Sequence, residues 1–431
     1  MIDFNLLACI ISKRKHLQID DKAGRVMFER RIYWAISAYF FFFFVSFAAC
    51  YSLYSIWLSK SLGLNGTDSG IVFGLNAAVT LVAQPLYGYI LDKLGLKKNV
   101  LIFLGVLLAF SGPFFIYVYG TLLTNNLIIG SLVGGVYLGI GFQAGSSALE
   151  SYAQKLSLKY GFEYGRARMW GSLGWAAITF FAGKLFTINP DYNYWIASGA
   201  AIIMLVIILA TKVDVSQEDL TQSQSVSVND LKALFKLKDF WILVIFSLGV
   251  TCAYNLYDQQ YAAYFYTLFA SKSQGSQVYG YVNSVQVILE AAMMFVAPKL
   301  VNKIGARNSL LLAGLVMSIR IILSGVVAGP ALLATMKLAE AFEIPVFLVA
   351  IFKYLNENFE LRLSSILYLF GFQFSRQIGQ IVLSVLIGSA YDQFGFRKAY
   401  IFLGLIALFF DIISFFMLKK SITRKTRQHI G

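Results

Sequence analysis

From residue 32 onward the sequence is a succession of long apolar runs, and no other feature narrows its folding choices as much. The runs lie at 32–58, 69–91, 99–120, 126–152, 166–186, 193–211, 240–269, 277–297, 308–327, 331–354, 364–390 and 399–418. A helix needs about 20 mostly apolar residues to cross the hydrocarbon of a bilayer, so the chain has about twelve candidate spans. In lipid only helices and closed barrels satisfy their own backbone polar groups. The alternation of ~10-residue barrel strands is absent, so each run is read as a transmembrane helix. Charge agrees. Only 13% of residues are charged, about half of what a soluble domain carries, and the mean hydropathy is +0.68. The chain reads as an all-α integral membrane protein embedded in a lipid bilayer.

The first run starts too far in, and is too long, for a cleaved signal peptide. Residues 1–31 are read as a cytoplasmic extension or a mis-assigned start. Lys and Arg set the orientation. One family of loops holds Lys13, Arg14, Lys15, Arg30 and Arg31, then Lys93, Lys97 and Lys98, then Lys155 and Lys159. It continues with Lys232, Lys236 and Lys238, with Lys299, Lys303 and Arg307, and with the tail "KKSITRKTRQ". The opposite loops offer Lys60, Lys272, Arg397 and Lys398, with Lys184 near a helix end. Both termini are therefore expected in the cytoplasm, and the net charge of +14 is mostly this asymmetry. There is no soluble basic domain for nucleic acid. Cys9, Cys50 and Cys252 have no metal or disulfide spacing. The two histidines, His16 and His429, lie in the polar ends. No metal site or histidine-dependent catalytic centre is expected within the membrane, and no cofactor.

The longest polar interior stretch runs from Thr211 to Asp239 and separates six runs from six. The expected organisation is an extension (1–31), a six-helix bundle (32–211), a cytoplasmic central loop (212–239), a second six-helix bundle (240–418) and a cytoplasmic tail (419–431). An internal repeat supports two related halves. "GYILDKLGLKK" (Gly88 to Lys98) follows the second run, "APKLVNKIGARN" the eighth, and "GSAYDQFGFRKAY" the eleventh. Each is a helix end, a glycine-centred turn and a basic start to the next helix. Gly95, Gly305 and Gly395 are placed to supply the positive φ of the turn, and Asp92 to hold a neighbouring helix N-terminus.

A charge at mid-membrane costs several kcal/mol, so it normally faces a cavity, has a partner and serves a function. Ten side chains qualify: Glu150, Arg168, Asp258, Glu290, Arg320, Lys337, Glu340, Glu343, Arg376 and Asp411. Arg168, Ser172 and Trp175 are four and seven residues apart, on one helix face, and Glu150 lies on the preceding run. An ion pair beside an indole can bind sugar hydroxyls and pack the apolar face of a pyranose. The same residues could equally form a structural staple beside a core tryptophan. In "KLAEAFE", Lys337, Glu340 and Glu343 make an ionic stripe on the tenth run, expected to line the wet cavity face of that helix together. Counting Glu150, Asp258, Glu290, Glu340 and Glu343 against Arg168, Arg320, Lys337 and Arg376 leaves one carboxyl without a permanent counter-ion. A lone buried carboxylate is costly, so that group should hold a proton when desolvated.

The Gly88–Lys98 loop resembles the signature loop of the major facilitator superfamily. "NNLIIGSLVGGVYLGIGFQAG", "GFEYGRARMWGSLGWA", "CAYNLYDQQYA" and "FEIPVFLVAIFKYL" resemble its oligosaccharide:proton symporters, the family of the lactose and sucrose permeases. The likeness runs from about residue 32 to 418. It implies two pseudo-symmetric six-helix bundles that rock about a central site, a gating loop at Gly88, Asp92 and Gly95, and no enzymatic chemistry. It further implies sugar contacts at Phe44, Glu150, Arg168 and Trp175, proton handling by Glu343 with Arg320, and an Asp258–Lys337 ion pair; Ser172 on the same face, Glu290 and Glu340 are expected to add sugar contacts. Three positions depart from the family pattern. Glu340 stands for a histidine, Asn255 for an aspartate whose cationic partner persists as Arg376, and Val287 for a glutamate, with Glu290 one turn on. Either Glu340 or Glu290 is expected to supply the charge Arg376 has lost. Asp411 is expected to be a packing contact or a partner for Arg376. The expected function is proton-coupled import of one disaccharide or small oligosaccharide, a galactoside or sucrose, by a monomer in a bacterial cytoplasmic membrane. An uncoupled facilitator and a non-transporting sugar sensor are the rivals.

Overall fold

The computed structural model describes residues 29–213, 234–327, 329–359 and 361–419. The expected extension up to Phe28, most of the central loop and all but the first residue of the tail lie outside the described residues. Among the described residues, nine helices are long and apolar enough to cross a bilayer as they stand. They are α1 (Glu29–Ser61), α2 (Gly66–Leu94), α4 (Leu127–Tyr160), α5 (Tyr164–Ile188), α6 (Asp191–Ala210), α7 (Lys238–Thr267), α8 (Lys272–Ile304), α9 (Ala306–Val326) and one long helix, Leu367–Met417. A further crossing, α3, consists of Asn99–Ala109 and Ser111–Asn125, bent by 46°. Pro113 lies just beyond the bend, where its missing N–H weakens the ladder. The helix Leu367–Met417 breaks at Gly395 (φ 78°, ψ 159°), giving α11 (361–394) and α12 (396–417). Pro330–Asn358 is α10; it is long enough to span but carries the stripe of Lys337, Glu340 and Glu343. Twelve spans result among the described residues.

The repeated loops explain themselves in the structure. Gly95, Gly305 and Gly395 have φ of 56°, 88° and 78°, a region costly for any residue with a Cβ. The basic residue that follows each glycine caps the end of a neighbouring helix. Lys98 Nζ donates to the carbonyls of Ile208 and Thr211 at the end of α6, at 2.9 and 2.7 Å. Arg307 Nε donates to Leu418 O at the end of α12, at 2.9 Å. Arg397 Nε donates to Gly325 O at the end of α9, at 3.0 Å. Cations satisfy orphan carbonyls and the negative end of the helix dipole. Gly88 faces open space.

Each half has its own apolar core, one running from Ile32 to Ile208 and one built on α7, α9, α10 and α11. A third cluster joins the halves, with Leu53, Ile56 and Ala182 against Tyr261 and Phe265. The halves also meet where α2 packs on α11 and α5 on α8, backbone to backbone. A Cβ on Gly70 would lie 2.3 Å from Ser384 O, and one on Gly183 2.1 Å from Ser276 O. At the same end Asp392 on α11 accepts from the N–H groups of Gly66 and Thr67 (2.7 and 2.8 Å) and from Thr67 Oγ1 (2.6 Å), at the N-terminus of α2. Gln260 Nε2 donates to Gly66 O at 2.9 Å. These contacts seal one end of the molecule.

Candidate functional site

Beyond that seal, a cavity of about 410 Å³ lies between the halves, within the usual range for a small-molecule site. On the first half its wall carries Phe44, Arg168, Ser172 and Trp175. Arg168 Nε donates to Glu150 Oε1 at 2.8 Å, and its guanidinium stacks over Phe44, 4.3 Å from the ring centre. Trp175 is held on edge by Phe47, 5.3 Å between centroids. Arg168, Ser172 and Trp175 come together as their spacing implies, and Phe44 joins them as the resemblance implies. Glu150 is one step removed: it anchors Arg168 and is not itself on the cavity wall.

On the second half Asp258, Glu290, Lys337, Glu340 and Arg376 line the cavity. Lys337 Nζ lies 2.6 Å from Asp258 Oδ1 and 2.8 Å from Glu340 Oε2. Tyr254 donates its hydroxyl to Glu340 Oε1 at 2.6 Å. Glu343 and Arg320 are not on the wall. They form a buried pair behind it, Arg320 Nε to Glu343 Oε1 at 2.7 Å, with side chains 1% and 0% exposed. Arg320 also approaches Glu340, at 3.8 Å. The stripe expectation is corrected here for a geometric reason. Each step of three residues falls about 60° short of a full helical turn. Glu343 is therefore about 120° round from Lys337, turned into the packing against α9. Glu343 Oε2 and both terminal nitrogens of Arg320 are buried without a hydrogen-bond partner.

The expected partner for Arg376 is not found. Glu340 is committed to Lys337, Tyr254 and Arg320, and Glu290 accepts from Gln286 Nε2 at 2.9 Å. No ion pair or hydrogen bond reaches Arg376 among the described residues, and its Nε is buried with no partner. Asp411 instead packs on α9, where a Cβ on Gly314 would lie 2.3 Å from its Oδ1. The side chain of Asp92 lies outside what is described. The sequence reading started from ionisable groups and their neighbours and so missed the amides of the wall, among them Asn76, Gln143, Asn283, Gln377 and Gln380. Their presence inside apolar runs was the available signal. Among the described residues no cluster of His, Cys, Asp or Glu is arranged to hold a metal ion.

Twelve spans in two related halves around one polar, ion-lined cavity define a membrane transporter of the major facilitator fold. Solved structures share it: a mutant of the nucleoside transporter NupG superposes with a TM-score of 0.78 at 13% identity, over 90% of this chain and all of that one. The D-xylose-proton symporter gives 0.68 at 16% identity, over 92% and 98%. The family model for the LacY proton/sugar symporter matches residues 25–429, and this chain belongs to that family. Its curated relatives include several sugar permeases. The raffinose permease of Escherichia coli is 39% identical over 90% of this chain and 93% of its own length. The lactose permease of Citrobacter freundii is 41% identical over 86% and 90%, and the sucrose permease of E. coli 37% over 92% and 96%. The chain is thus a multi-pass sugar permease, a transporter and not an enzyme.

Proposed function

We propose that this permease imports a disaccharide or small oligosaccharide together with one proton, by alternating access of a single cavity. The carrying observation is the ion cluster that runs from the second wall into the packing behind it. Asp258, Glu340 and Glu343 share only Lys337 and Arg320, so three carboxyls meet two cations. A proton on one carboxyl balances the cluster, and leaving a buried carboxylate uncompensated costs several kcal/mol. Glu343 is the carrier that the geometry favours, because it is fully buried and reaches the cavity only through Arg320 and Glu340. Arg168, held by Glu150, offers donors to sugar hydroxyls, and Trp175 offers an apolar plane for the ring. These lie on one half and Glu340 and Lys337 on the other, so bound sugar bridges the halves and its contacts bias their rocking.

The preponderance of Lys and Arg in one set of loops supports a cytoplasmic location for the open end and for both termini. The structure is then the inward-open state of the cycle. One chain contains the whole cavity, so a monomer suffices. The test is sugar-induced proton uptake into de-energised cells or vesicles containing the protein. Alkalinisation outside on adding sugar supports the reading. Sugar entry without it makes the protein a facilitator, and neither flux makes it a sensor.

A further inference from the structure

Among the described residues six charged side chains line the cavity, and five of them have an ion-pair or hydrogen-bond partner in the protein. Arg168 holds Glu150, and Lys337 holds both Asp258 and Glu340. Glu290 accepts from Gln286 Nε2 at 2.9 Å. Arg376 is the exception. Its titratable neighbours are the phenols of Tyr368 and Tyr254 and the thiol of Cys252. Beside them on α7 stands Asn255, a neutral amide whose Nδ2 is spent on Thr251 O at 3.0 Å. On its own helix Gln377 and Gln380 add amides to the wall, not carboxylates. Arg376 Nε is thus buried without a partner, and no hydrogen bond or ion pair reaches the guanidinium among the described residues.

A guanidinium cannot shed its proton, presents its N–H groups as a planar fork, and pairs bidentately with carboxylates. Taken out of bulk water with no counter-ion, it is a standing cost to the empty protein. We propose that the substrate supplies the missing charge: the carried oligosaccharide bears a carboxylate, as in a uronic acid, which Arg376 grips while Trp175 packs a neighbouring ring. This rests on the sugar-symport reading above. It has an electrical corollary. A carboxylate travelling with one proton moves no net charge per cycle, whereas a neutral sugar with one proton moves one.

The test titrates purified protein, in chloride-free buffer, with lactose and sucrose. Each is compared with the same disaccharide oxidised to a uronic acid at one primary hydroxyl. At least one acid is expected to bind tenfold or more tighter than its neutral parent. That ratio should collapse toward one in Arg376→Gln, and also in Asn255→Asp, which gives the guanidinium an internal partner without removing it. Proteoliposome currents on a jump in the acid should be far smaller than those from a neutral sugar at equal transport rate. Acid binding no tighter than its parent, or a ratio unmoved in both variants, overturns the proposal and leaves the symporter reading standing. If chloride instead tightens the neutral sugars in a manner that needs Arg376, the counter-charge is inorganic and the proposal is likewise overturned. Failure of every sugar, neutral or acidic, to bind would sink the proposal and the oligosaccharide reading together.

Discussion

Removing the carboxylate of Asp392 should open the sealed end. In the structure it accepts three hydrogen bonds, at 2.6 to 2.8 Å, from the first turn of α2 on the other half. Charge-assisted bonds of this kind are worth about 1.5–3 kcal/mol when buried. This one is exposed, so solvent competes and about 0.5–1 kcal/mol each is the appropriate scale. The helix dipole adds a few tenths. Asp392→Ala should therefore shift the balance between sealed and opened states by about 2 kcal/mol, roughly thirtyfold, since each 1.4 kcal/mol is a factor of ten. Ala262 on the cavity wall gives a reporter position. Cells carrying Ala262→Cys, with the buried Cys50 and Cys252 replaced by serine, are treated with a membrane-impermeant maleimide from the α2 N-terminal side. The labelling rate follows the opened population and should rise ten- to thirtyfold in Asp392→Ala. Thr67→Val, which deletes only the hydroxyl contact, should give a rise of a few fold. An Asp392→Ala rate within twofold of the parent would show that the backbone packing of α2 on α11 and α5 on α8 holds the seal alone.

Glu343→Gln should keep sugar binding and exchange but lose accumulation against a gradient; active accumulation by that variant would move the proton site, with Glu340 next in line. Trp175→Ala should weaken sugar binding ten- to thirtyfold in equilibrium titrations, about 1–2 kcal/mol of lost ring packing. Glu150→Ala should nearly abolish binding, because it frees the Arg168 guanidinium from its orienting partner; normal binding would reduce the pair to a staple between α4 and α5. Glu340→Gln and Arg376→Gln, which share no contact, should have additive effects on transport; a double mutant better than Glu340→Gln alone would show that they are coupled after all.

The sequence by itself determined the membrane class, the number of spans, the two halves and most of the charged site. It could do so because these signals are local. A span needs only its own apolar length, a turn its own glycine, and Arg168, Ser172 and Trp175 share a face by spacing alone. Relations between helices were decided only in the tertiary structure. The stripe from Lys337 to Glu343 looked like one wet face, yet packing splits it. Lys337 and Glu340 face the cavity while Glu343 turns inward onto Arg320, because a three-residue spacing drifts round the helix and only the neighbouring helices fix where the cavity edge falls. Charge bookkeeping along the chain suggested that Glu340 or Glu290 would answer Arg376. In three dimensions closer cations claim Glu340, Glu290 is held by Gln286, and Asp411 is buried against Gly314. The amides of the cavity wall show in the sequence only as polar residues inside apolar runs, and the Asp392 contact, which joins residues 326 positions apart, carries no mark there. A carboxylate reads the same whether it faces water or a helix N-terminus, and only the approach of α11 to α2 makes it a clasp.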